Sequence, residues 1–140
     1  MNRNEGNELY LKAQKLALRD YREKMLAGQS PFLPVLDDIL QNVPVENQIP
    51  LGQVDIPLHL LVGTKTTGRT AAFASNFMPL LDLKTEFASK WVNLCLSHLE
   101  EGIRDPIRCY EYMGRFYVQE GNKRVSVLKY FDATSILGNV

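Results

Sequence analysis

The alternation of apolar and polar positions divides the chain into helical and extended stretches. Over residues 5–27, Leu9, Ala13, Leu16, Ala17, Tyr21 and Met25 recur at helical spacing, which predicts an amphipathic helix with one apolar stripe. Gly28 stops it, and Pro31 and Pro34 keep the next few residues from continuing a helix. Leu36, Ile39 and Leu40 suggest a short second helix, and residues 41–53, with Pro44, Pro50 and several Asn and Gln, read as an extended connector. From Gln53 to Leu58, Val54, Ile56 and Leu58 alternate with Gln53, Asp55 and Pro57, the period of a strand with one buried face. Pro57 lacks an N–H, so this strand belongs at a sheet edge or ends there.

Residues 63–79 hold threonines, glycines, Lys65 and Arg69 but no acid, and read as a loop after an apolar, strand-like run. Asp82 begins a helix with Phe87, Trp91, Leu94, Cys95, His98 and Leu99 inward, ending near Gly102. Pro106–Tyr112 and Arg115–Gln119 form a hairpin around Met113-Gly114. A last helix covers Val125 to Phe131, and Ile136–Val140 reads as the start of one further element, cut short. Together these predict an α+β fold: a small mixed sheet with packed helices and an N-terminal helical arm. Residues 1–50 are the arm and connector, and 51–140 the sheet-containing domain.

A chain of 140 residues can bury a real core as one domain with an appendage. Sixteen basic and sixteen acidic residues give a formal net charge of +0, which argues against broad adhesion to nucleic acid or to a membrane. No apolar run approaches the ~18 residues of a membrane span. The polar start Met1-Asn2-Arg3-Asn4-Glu5 is not a signal peptide. Cys95 and Cys109, in a predicted helix and a predicted strand, read as buried thiols, as a reducing cytoplasm favours. His59 and His98 stand far apart without cysteine or carboxylate at ligand spacing, so no metal site is read.

The chemistry concentrates at Glu120-Gly121-Asn122-Lys123-Arg124, between a strand and a helix. Asn122 suits an N-cap, whose side-chain oxygen accepts an orphan N–H of the first turn. Lys123 and Arg124 then oppose the positive end of the helix dipole, an arrangement that costs stability unless an anion sits between them. Glycine, helix N–H groups and two cations make a phosphate site of Gly121, Asn122, Lys123 and Arg124. Glu120 is the one acid touching it, the candidate to orient magnesium or take a proton. The plainer alternative is a capped turn with solvated cations and a solvated strand-end glutamate.

Gly63-Thr64-Lys65-Thr66-Thr67-Gly68-Arg69-Thr70 has P-loop spacing with Arg69 in the lysine's place. The broader guanidinium is not equivalent to a slim ammonium, and no later strand supplies an Asp for magnesium. The segment therefore reads as a second ligand-contacting loop, with Lys65, Thr66, Thr67 and Arg69 closing over the same phosphates, or as a polar loop of no role.

Asp105-Pro106-Ile107, the hairpin Ile107–Val118 and Gly121-Asn122-Lys123-Arg124, with Val54-Asp55-Ile56-Pro57-Leu58 upstream, resemble the ParB-like/sulfiredoxin-like superfamily. There a strand and hairpin lead into Gly-Glu-Arg-Arg, Gly-His-His-Arg or Gly-Cys-His-Arg at a helix start. Asn76-Phe77-Met78-Pro79 stands where partition proteins carry an Asn-Pro-x-x-Pro box, and Phe77 and Met78 read as core or lid residues. The resemblance implies a nucleotide-binding domain that acts as a ligand-dependent switch or transfers phosphoryl groups, with a nucleoside triphosphate and magnesium as cofactor. Asn122 where sulfiredoxins have cysteine argues against sulfinic-acid reduction. The residues after Arg124 are too few for the partition proteins' helix-turn-helix domain, so DNA binding by this chain alone is not expected. A C-terminal domain in a longer protein is implied instead. Two rivals stay open: a non-enzymatic sensor or interaction module, and a ParB-like DNA-binding or nuclease-type protein. The N-terminal helix is either a homodimerisation device or packed on its own domain.

Overall fold

The computed structural model describes residues 2–44 and 48–140, without the side chain of Arg69. Its elements, in order, are α1 (Arg3–Leu26), α2 (Leu36–Ile39), β1 (Gln53–Pro57), β2 (Leu61–Thr64), α3 (Glu86–Glu100), β3 (Ile107–Tyr112), β4 (Arg115–Glu120), α4 (Asn122–Tyr130) and β5 (Ser135–Asn139). The five strands form one sheet in the order β1-β5-β3-β4-β2. β1 runs antiparallel to β5 and β3 antiparallel to β4, while β5 is parallel to β3 and β2 parallel to β4. The α+β class with a mixed sheet is as expected from the sequence. Pro57 ends β1, which is an edge strand, so the missing N–H breaks no ladder. The stretch expected to open an incomplete element, Ile136–Val140, is instead most of β5 and fills the slot between β1 and β3.

One face of the sheet carries the core. Ile56, Ile107, Cys109, Val118 and Ile136 pack with Val125 and Leu128 of α4 and with Trp91, Val92 and Cys95 of α3. Tyr10, Ala13 and Ala17 of α1 belong to the same cluster, so the N-terminal helix packs against α3 of its own domain. Its buried line is Gly6, Tyr10, Ala13 and Ala17. Leu16 and Met25, expected inward, are exposed. Small residues explain the shift: a Cβ on Gly6 would stand 2.7 Å from Val92 Cγ1, so this side lets two helices approach more closely than the leucine side could.

α3 begins four residues later than the sequence suggested. Asp82 instead builds a turn, its carboxylate accepting from Lys84 N–H at 2.9 Å, and the Thr85 hydroxyl caps the helix by accepting from Ala88 N–H at 3.1 Å. Ala88 and Val92 join Phe87, Trp91 and Cys95 inside, while Leu99 is exposed and His98 half-buried. The β3–β4 hairpin turns through Met113 at φ 51° and Gly114 at φ 80°. Both residues have the left-handed conformation that matches strand twist in a two-residue loop.

Candidate functional site

Because β2 and β4 are parallel neighbours, the loop after β2 and the turn after β4 emerge at the same end of the sheet. Lys65 N–H donates to Val118 C=O at 2.8 Å, and Thr64 Oγ1 donates to the same carbonyl at 3.0 Å. The Asn122 amide Nδ2 donates to Thr64 Oγ1 at 3.3 Å. The backbones of the two segments singled out in the sequence are thus brought together.

The helix start differs from expectation. Gly121, at φ 114°, is the residue that caps α4, and Asn122 is already inside the first turn. No side chain caps the helix, because the capping residue is a glycine; the Asn122 amide is turned toward β2, and its Oδ1 is buried with no hydrogen-bond partner among the described residues. Gly121 has a steric reason as well as a conformational one. A Cβ there would lie 2.5 Å from Ile107 Cγ2.

The cations of these segments diverge. Arg124 Nη1 donates to the Asp105 and Pro106 carbonyls, both at 3.1 Å, which ties α4 to the approach of β3. The polar cleft beside it, about 650 Å³, also presents Glu100, Glu101, Arg104 and Asp105, so three carboxylates share the space around Arg124. Lys123 lies over the Phe87 ring, 5.3 Å from its centroid. Lys65 turns to the other side of the sheet, ion-paired with Asp37 and 5.2 Å from the Tyr110 ring centroid. Thr66 and Thr67 are exposed, and Thr67–Ala72 form a 3-10 turn where a P-loop would open an α-helix. The side chain of Arg69 lies outside the described residues. Glu120 is exposed at the end of β4, opposite Arg108 on β3.

The face of the sheet away from the core holds a larger cleft, about 850 Å³ in volume. That is ample for a drug-sized or nucleotide-sized ligand. Its floor is the outward side of the central strand β3, where Arg108, Tyr110 and Tyr112 alternate with core-facing Ile107 and Cys109. Lys65 borders it, and Gln119 and Asn139 line it from the flanking strands β4 and β5. Leu36, Leu40, Ile49 and Leu51 from α2 and the connector contribute apolar wall. Residues 34–37 are fixed against the sheet: Thr64 N–H donates to Pro34 C=O at 2.9 Å, and Asp37 N–H to Lys65 C=O at 3.1 Å. Gly63 makes this approach possible, since a Cβ there would stand 2.2 Å from Pro34 O.

Charge is unevenly committed in this cleft. The Glu111 carboxylate accepts from Gly114 N–H at 2.7 Å, and Lys65 is held by Asp37. Among the described residues Arg108 has no hydrogen-bond or ion-pair partner. Its guanidinium was not singled out in the sequence, although the inward–outward alternation of Ile107 to Tyr112 displays it. Nucleophilic chemistry by the two thiols is disfavoured, because both cysteines are buried and burial pushes each thiol up to about 11.

Compared with known proteins, the chain matches no family model, no curated protein and no solved structure. No helix among the described residues is long and apolar enough to cross a membrane.

Proposed function

We propose that this protein binds a phosphorylated small molecule of the nucleotide class in the cleft over the open face of the sheet, and works as a ligand-dependent switch. The observation that carries this reading is Arg108, whose guanidinium has no partner among the described residues, on the floor of a roomy cleft with an apolar wall. A guanidinium fits phosphate oxygens with two parallel hydrogen bonds, and Lys65, ion-paired with Asp37, stands at the border. The cleft reaches Gln119, two residues before Gly121, so a ligand seated there approaches the turn singled out in the sequence. The ParB-like resemblance is compatible with this placement, with Arg108 taking the phosphate role that the sequence suggested for Arg124. Phosphoryl transfer remains the enzymatic extension of the same reading, with Glu120 as the acid nearest in register to Arg108 and magnesium as the accompanying ion.

Two substitutions test the assignment. Arg108→Ala should weaken binding of adenosine triphosphate or a related nucleotide by about 1.5–3 kcal/mol in titration calorimetry, the range for a lost charge-assisted bond. Arg124→Ala should leave that affinity unchanged and lower unfolding stability by about 1–2 kcal/mol, because its two carbonyl contacts are structural. The reverse result, with affinity lost only in Arg124→Ala, would return the phosphate to the α4 turn.

A further inference from the structure

The register of β3 against β4 contains an irregularity that the binding of a phosphate does not use. Arg108 pairs with Glu120, but the next residue, Cys109, pairs with Val118, so Gln119 is the extra residue of a β-bulge. Bulges re-aim a side chain relative to the regular alternation, and they recur beside binding sites. Here the extra residue lines the cleft. On the other flank of β3, Asn139 of β5 is the register partner of Arg108, and it lines the same cleft. Two carboxamides from the neighbouring strands therefore flank the Arg108 guanidinium. Among the described residues neither carboxamide side chain has a hydrogen-bond partner.

A carboxamide is a poor choice for a phosphate, since it brings no charge and half of it is an acceptor. It is well matched to a flat heterocycle that presents a donor beside an acceptor, as adenine does with N6 and N7. Flat surfaces are present too: Tyr110 and Tyr112 are half-buried on the floor, in the same cleft as the leucines of the wall. Aromatic side chains stack on any nucleobase, whereas a sugar phosphate offers them only hydroxyls. Resting on the proposed binding of a nucleotide-class ligand, we infer that the cleft selects a nucleobase, adenine in the first place, and that Gln119 is a specificity-determining residue which reads the base edge. Arg108 then holds the phosphate end, and Asn139 offers the second carboxamide.

The test is a set of NMR titrations with adenosine monophosphate and ribose 5-phosphate as probes, on the intact chain and on Gln119→Leu and Arg108→Ala. Gln119 is exposed, so its replacement by a leucine of similar size should not disturb folding. In the unsubstituted protein, adenosine monophosphate should bind at least about tenfold more tightly than ribose 5-phosphate, as stacking plus an edge contact allow. Gln119→Leu should remove most of that preference while leaving ribose 5-phosphate affinity as it was, and Arg108→Ala should weaken both probes. Equal affinity for the two probes, or a preference untouched by Gln119→Leu, would overturn base selection and leave phosphate binding standing. Absence of binding by both probes would overturn phosphate binding as well.

Discussion

Trp91→Ala is expected to destabilise the protein by about 3–5 kcal/mol, measured by denaturant unfolding, the cost of deleting a large buried aromatic. Trp91 is fully buried at the junction of three helices. Its ring meets Tyr10 of α1 edge-on at 5.4 Å between centroids and Tyr130 of α4 at 5.9 Å. Its indole N–H donates to Ser126 Oγ at 2.9 Å, and that serine has no exposed surface. Removing the ring therefore opens a cavity, loosens α1 and α4 together and leaves a buried hydroxyl short of a partner. Trp91→Phe separates the contributions. It keeps most of the apolar contact and should lose about 1–3 kcal/mol, the penalty for an orphaned buried polar group. A Trp91→Ala loss below about 1 kcal/mol, well under the range for such deletions, would mean that α1 does not depend on this junction.

The second large effect is expected at Gly121. An alanine there is forced into φ 114°, which a side chain rarely adopts, and its Cβ meets Ile107 Cγ2 at 2.5 Å and Ile107 Cβ at 3.1 Å. Ile107 is β-branched and has no exposed surface, so it cannot swing aside. Backbone strain of about 1–3 kcal/mol adds to about 1–3 kcal/mol of overpacking, giving an expected loss of about 2–5 kcal/mol. Gly114→Ala is the matched control. Gly114 has φ 80° but no atom within 4 Å of a Cβ, so only the conformational part, about 1–2 kcal/mol, should appear. Equal losses at the two glycines would show that the Ile107 contact carries no weight.

What could be read from the sequence was what is fixed locally. The hairpin around Met113-Gly114, the helix stop at Gly28 and the strand ending at Pro57 depend on backbone preferences of the residues themselves, and all three stand where they were expected. The inward face of α1 was legible in part: Ala13 and Ala17 are buried and Leu9 packs against the core as expected, but Leu16 and Met25 are exposed and Gly6 and Tyr10 take the inward line. The larger side chains of Leu16 and Met25 outweigh Gly6 on any hydrophobicity scale. Only the partner helix decides, and Val92 of α3 leaves no room for a Cβ at Gly6. The cations show the same limit. Nothing near Arg124 in sequence reveals that two carbonyls from residues 105 and 106 will occupy it, nor that Asp37 will reach Lys65. Asn122 had every property of a cap, yet a bond to Thr64 from a distant strand drew its side chain away from the helix end. Arg108 and Gln119 come together through the hairpin, but Asn139 joins them only through strand order, which no local pattern encodes.

The placement of β5 has a kinetic side. β1 has β5 as its sheet partner, and the two lie roughly eighty residues apart in the chain, a separation whose closure entropy must be met before pairing gives any return. Until β5 arrives, β1 has no strand to pair with and the flank of β3 that will receive β5 is an unpaired edge. Such an edge can pair with an extended segment of another chain, although only β5 brings Ile136 into the core. The sheet is complete only when β5 pairs with β3 and brings β1 in beside it. Refolding should accordingly be slow for a chain of this size, with yield falling as protein concentration rises, because an unpaired strand edge is a template for strand exchange.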